Sequence, residues 1–326
     1  MAAGAASSGS PSEALVVELF KRTPKIRFLD KRRYWYAVSV MVIVASVVAV
    51  SIRGLNFGID FTGGVVIEVH FPETADLERL RTALSAGGLG DAIVQSFGTT
   101  QDVLVRLPPA EGEAAREVTE QVRSALATVD TQAEIRRTES VGPQAGRELA
   151  EKGATALLMA LLFIAIYVVM RFQWKFAIGA IVAVLHDPLV VVGLFAVTGL
   201  TFDLSVMAAI LAVIGYSLND TVVVFDRVRE RLVQMRKASP REVMDAAINE
   251  TLSRTLLSSG TTSIVVIALV LLGGEALRPF GVALLVGIVI GTFSSIYVAG
   301  ALALDLGLSQ RDLMPPEKRG EADALP

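Results

Sequence analysis

The chain has 326 residues, 30 Lys or Arg against 33 Asp or Glu, no cysteine, and two histidines, His70 and His186. A mean hydropathy of +0.55 with 52% hydrophobic residues is too apolar for an ordinary soluble domain, and the apolar residues are clustered. The lack of cysteine excludes disulfides and thiolate metal sites, and two separated histidines argue against a His-rich metal centre.

The opening MAAGAASSGSPSEALVVELF is small and polar without a basic n-region, so it does not read as a signal peptide. Residues 1–33 are expected to form a cytoplasmic tail that ends in the basic run KRTPKIRFLDKRR. Crossing the hydrocarbon core takes about 20 predominantly apolar residues. Six segments meet that length: 34–52, 153–171, 176–198, 203–225, 256–273 and 280–303. The short loops give the orientation, because Lys and Arg accumulate before the first span, between the second and third, and after the fourth. Both termini are therefore expected inside, with Trp35 and Trp174 as interface anchors.

Residues 53–150 then lie outside and have a soluble character. GGVVIEVHF reads as a strand, ADLERLRTALSAGG as a helix, and DAIVQSF and QDVLVRL as a hairpin turned at Gly-Thr-Thr. EGEAAREVTEQVRSALATV has helical spacing, and TQAEIRRTESV is a last strand. The β-α-β-β-α-β order is that of a ferredoxin-like split βαβ unit. The expected fold is thus a polytopic α-helical membrane protein of six transmembrane helices. One exported ferredoxin-like α+β domain lies between the first and second spans, and a five-helix bundle follows over 151–304. Ser239, Pro240 and Glu242 predict a capped amphipathic helix near 239–255 at the inner surface, running into the fifth span. A cytoplasmic tail is expected over 305–326.

Four spans carry polar groups that need a reason. Asn219 and Asp220 lie inside the apolar part of the fourth span, where a carboxylate costs about 2.5–3.5 kcal/mol on insertion scales. Such a group faces a bundle interior with a partner, and there it can hold or release a proton as its surroundings change. The bland alternative is an interfacial carboxylate, which describes Asp226 better. Tyr216 and Ser217, one turn back, suit a polar path. Arg254, at the start of the fifth span, is the natural partner of Asp220; it could instead snorkel to lipid phosphate. His186 and Asp187, followed by Pro188, fall near the middle of the third span. They read equally as a proton relay or as the support of a helix kink. The glycine pairs Gly273-Gly274 and Gly287/Gly291 suggest close helix contact. There is no phosphate-binding loop and no nucleophile–base set, so an ion gradient is the expected energy source and no enzyme activity is expected.

At these residues the chain resembles the SecF family of the Sec protein-export machinery. The resemblance is carried by GIDFTGG (Gly58 to Gly64), VGPQAGRELAEKGATAL, YVVMRFQWK, LHD, VIGYSLNDTVVVFDRVRE, TLSRTLLSSGTT and GTFSSIYVAGALAL. It implies membership of the resistance-nodulation-division superfamily and pairing with SecD into a twelve-span unit. That unit would sit beside SecYEG with YajC in the bacterial inner membrane, embedded in lipid. It would draw unfolded exported polypeptides outward on the proton gradient, with no cofactor, no metal and no nucleic-acid partner. Sodium remains open as the coupling ion. The resemblance makes Asp220 the family's intramembrane aspartate and Arg254 the arginine that approaches carboxylates in the proton cycle. Pro188 departs from the branched aliphatic residue expected after His-Asp. Two other readings stand beside this one: an exporter of small molecules or lipids from the same superfamily, and a non-transporting scaffold of the translocon.

Overall fold

The computed structural model describes residues 24–110 and 113–309; the outer parts of both predicted tails lie outside them. A 3-10 turn over Phe28–Lys31 leads into α1 (Arg32–Arg53). The chain then makes a two-residue strand β1 (Asn56–Phe57) and a single turn α2 (Ile59–Thr62). The α+β domain follows as β2 (Gly64–His70), α3 (Leu77–Ala86), β3 (Ile93–Phe97), β4 (Thr99–Leu107), α4 (Glu113–Val129) and β5 (Glu134–Val141).

Its four strands lie in the order β3-β4-β2-β5, and every adjacent pair is antiparallel. Alternation explains the sheet, since Val65, Ile67 and Val69 of β2 turn to one face and are fully buried. They pack on Leu80 and Leu84 of α3 and Val122 and Leu126 of α4, so both helices cover the same face. Asp76 caps α3 by accepting from the backbone N–H groups of Glu78 and Arg79. The predicted hairpin turns at Gly98, whose φ of +79° favours glycine.

The membrane part comprises α5 (Pro143–Arg171), α6 (Trp174–Thr198), a two-residue strand β6 (Thr201–Phe202), α7 (Leu204–Gln234), α8 (Pro240–Leu272) and α9 (Gly274–Ser294). A π-helical turn over Ser295–Gly300 joins α9 to α10 (Ala301–Asp305). Six helical stretches among the described residues are long and apolar enough to cross a membrane. α6, α7 and α9 form the inside of the bundle, whereas α1, α5 and α8 keep mostly exposed faces. The capping box of Ser239 and Glu242 forms, and α8 then runs 33 residues without a break.

Glycine lets the inner helices approach. A Cβ on Gly287 would collide with the Val213 side chain, and one on Gly291 would stand 2.9 Å from Ser217 Cβ. Gly273-Gly274 meets the expectation of close helix contact at one of its two residues. Gly273 ends α8, where a Cβ would collide with the Leu269 carbonyl and stand 3.3 Å from Leu277 Cβ of α9, and Gly274 opens α9 at a φ of +72°, so the close approach is at Gly273 and the pair also makes the turn between the helices.

At the bundle end opposite the α+β domain, ion pairs tie the helices. Arg171 holds Asp226 through two hydrogen bonds of 2.8 and 2.7 Å. Arg227 and Arg231 converge on Glu250 at 2.6 and 2.8 Å. The segment before α1 is strapped to α8, because Asn249 accepts from the Ile26 N–H at 3.0 Å and donates to the Ile26 carbonyl at 2.7 Å. Trp35 meets Phe293 edge to face and Tyr297 at a tilt, whereas Trp174 is exposed.

Candidate functional site

The polar interior of the bundle has two centres on α7. Asp220 is 2% exposed, and its Oδ2 has no hydrogen-bond partner. Helical spacing puts Val213, Ser217, Asp220 and Thr221 on the buried face of α7, toward α9. Beside Asp220 runs a chain of hydroxyls: Tyr216 Oη donates to Ser259 Oγ at 3.2 Å, and Ser259 Oγ lies 2.9 Å from Thr292 Oγ1. Thr292 and, through space, Arg254 are the groups that act on the Asp220 carboxyl. Arg254 is exposed on α8 and makes no ion pair with Asp220 within 4.0 Å. The expected contact is therefore open in this conformation, with the guanidinium on the uncovered face of α8. Asn219 is exposed and turned away from the carboxyl beside it, as neighbours about 100° apart on a helix must be.

The second centre is Asp187, fully buried on α6. Its Oδ1 lies 2.9 Å from His186 Nδ1, which can donate to it. Its Oδ2 accepts from Ser294 Oγ at 2.9 Å and from Ser217 Oγ in a short hydrogen bond. One carboxylate thus joins α6, α7 and α9. Ser217 shares the buried face of α7 with Asp220, as expected, but its hydroxyl donates to Asp187. His186 Nε2 is buried without a partner. Pro188 does not break α6, which is helical from Trp174 to Thr198, although proline offers no N–H to the Val184 carbonyl.

Sequence reasoning missed Thr292 and Ser294 as members of these centres. The available signal was the polar run Thr292-Phe293-Ser294-Ser295 directly after Gly291, in an otherwise apolar helix. The π-helical turn begins just after Ser294, and such turns recur at functional sites. Among the described residues no cluster of His, Asp and Glu could hold a metal ion.

Fold and site together define a polytopic membrane protein whose helix bundle encloses ionisable centres. The family model "Protein export membrane protein SecD/SecF, C-terminal" matches residues 121–309, more than half of the chain, and the SecD/SecF GG motif matches residues 48–71. The protein translocase subunit SecF of Vibrio alginolyticus is 47% identical over 313 residues, covering 95% of this chain and 99% of that protein. The SecF subunit of Pseudomonas aeruginosa is 43% identical over 301 residues, covering 92% and 98%. The crystal structure of SecDF from Thermus thermophilus, a translocon-associated membrane protein, superposes with a TM-score of 0.78 at 36% identity. That match covers 87% of this chain and 39% of the longer SecDF chain. The chain belongs to the SecF family of protein translocase subunits.

Proposed function

We propose that this chain works in Sec protein export as a subunit that converts an ion gradient into movement of exported polypeptide. The observation that carries the reading is Asp220, a buried carboxyl with one oxygen unpartnered and a cationic group, Arg254, within electrostatic reach on the next helix. Placed near the carboxylate, the guanidinium favours the charged form; moved away, it leaves proton binding as the way to neutralise a charge in a dry site. Proton uptake and release at Asp220 would then alternate two arrangements of α7, α8 and α9. Asn219 lies outside this exchange, on the exposed side of α7.

The SecDF chain that this one matches over 39% of its length supports SecD as the partner that completes the assembly. Arg254, Thr261 and Gly260 on the exposed face of α8 favour coverage by such a partner over lipid alone. SecYEG, YajC and the unfolded exported chain are the further partners, in the inner membrane with both termini cytoplasmic. The basic residues at the bundle end opposite the α+β domain support that orientation. The strand order β3-β4-β2-β5 with two helices on one face supports a ferredoxin-like reading of the exported domain.

The test is Asp220→Asn, which keeps shape and removes ionisation. Proton conductance of membrane vesicles and gradient-driven export of a presecretory protein should both fall to the level without the subunit. Arg254→Met should lose the coupling in the same way. Unchanged export and conductance in Asp220→Asn would reject the mechanism. Imposing a sodium gradient in place of the proton gradient identifies the ion.

A further inference from the structure

GIDFTGG plays no part in the buried centres, yet its residues and their neighbours touch three parts of the molecule. Toward the bundle, Asp60 Oδ2 accepts the Leu204 N–H at 3.0 Å, in the first turn of α7. The Gly58 N–H donates to the Phe202 carbonyl at 2.9 Å, and β1 pairs in parallel with β6. The rings of Phe57, Phe61 and Phe202 close over this joint with centroids about 6 Å apart. Toward α5, the backbone of Gly63 is so close that a Cβ on Gly146 would stand 2.8 Å from its nitrogen. Toward the domain, Gly64 begins β2 and pairs with Val141. Arg106 of β4 reaches back to the Phe57 carbonyl at 3.0 Å and to Asn56 Oδ1 at 3.1 Å.

The chain therefore fastens the first turn of α7 to the root of β2, a central strand of the sheet. Asp220 lies on the same helix, about 24 Å further along its axis at 1.5 Å per residue. A helix transmits displacement along its axis, because stretching it breaks its ladder of hydrogen bonds. Nothing about holding the domain upright requires a link to α7 in particular, since α1 and α5 already anchor both ends of the domain covalently.

We propose that Asp60 is a positioning residue that couples α7 to the α+β domain. A shift of α7 that follows a charge change at Asp220 passes through the Asp60–Leu204 hydrogen bond and the β1–β6 pairing into β2. The domain moves with the ion step for that reason. This inference rests on Asp220 as the ion-binding carboxyl, but the linkage has its own readout.

The experiment uses the full chain in native membrane vesicles and compares Asp60→Ala with Asp60→Asn. Asparagine keeps a side-chain oxygen to accept from Leu204, and alanine does not. In Asp60→Ala the Leu204 amide loses its acceptor and should exchange about fivefold faster, the factor for one lost hydrogen bond of about 1 kcal/mol, while Asp203 still caps α7 through the Val206 N–H. Export should fall several-fold while Asp220-dependent proton conductance stays at the wild-type level. Asp60→Asn should match wild type in all three. The proposal is overturned if Asp60→Ala leaves export intact, if conductance falls together with export, or if asparagine is as damaging as alanine. Asp220→Asn is measured in parallel. Retained conductance there defeats the proton reading, and amide exchange with the alanine–asparagine contrast then decides the linkage alone.

Discussion

In the α+β domain Val65, Ile67 and Val69 are sealed inside, and the charges of β5, Arg136 and Arg137, face out. In the bundle the order is reversed. Leu272 is 85% exposed and Met170 83%, while Asp187, Ser217 and Ser294 are completely buried. One chain thus obeys two solvents. Water drives the domain to hide apolar surface, whereas lipid gains nothing from hiding it. What a membrane bundle must hide is its polar groups, and each of them must then find a partner. Asp187 has found three; Asp220 Oδ2 has none. Asp187 is thereby bonded to side chains of α6, α7 and α9, whereas Asp220 keeps one oxygen without a hydrogen bond.

Asp187 gives the largest effect on stability. Alanine there leaves His186 and Ser217 without their acceptor, and Ser294 with only the Gly291 carbonyl, a loss of about 1–3 kcal/mol for each buried group left unsatisfied. Asparagine, close to aspartate in shape, keeps an Oδ1 acceptor for these donors and should recover part of that loss. Thermal unfolding of the purified chain in detergent measures both. Equal loss in the two variants would mean that the carboxylate matters through something other than unmet hydrogen bonds. At Ile67 the opposite chemistry applies. Ile67→Ala opens a cavity in the domain core and should cost about 3 kcal/mol, seen as faster amide exchange in β2 and β4 with the bundle unaffected. Loss spread evenly over both regions would break the comparison.

Legibility in sequence divides along the same line. The strands and helices of the domain were readable because a half-buried sheet alternates and a half-buried helix repeats near 3.6. The spans were readable from length alone. Which face of each span turns inward was not, because lipid accepts the apolar side chains that water would have sorted. Hence Asn219 and Asp220 looked alike, yet only Asp220 is inside. Arg254 was expected as the partner of Asp220, but no ion pair joins them within 4.0 Å, and that distance depends on a conformation that a sequence does not specify. The bond from Ser217 to Asp187 was not visible because Asp187 lies 30 residues away, on another helix. β1 and β6, two residues each, are too short to show any period, and GIDFTGG was legible only as a motif that carries the family resemblance.

The smallest effect lies at Asp102, on the domain's water-facing side, and it sharpens the contrast by its pH dependence. Burial opposes its ionisation, but hydrogen bonds from Thr99 and His70 and the nearby charge of Arg136 outweigh burial and hold the carboxyl below its ordinary value. The contacts are 2.6 Å from Thr99 Oγ1, 2.7 Å from His70 Nδ1 and 3.3 Å from Arg136 Nη1. A carboxyl whose folded value is depressed stabilises the fold above its unfolded value, about 3.9, and that stability fades as pH falls through the lower folded value. Asp102→Asn should therefore cost about 1 kcal/mol at pH 7, and the gap from wild type should close toward pH 3. Amide exchange in β4, compared at the two pH values, reads this directly. A gap that stays constant across the range would assign the effect to shape and remove charge from the account of this corner of the domain.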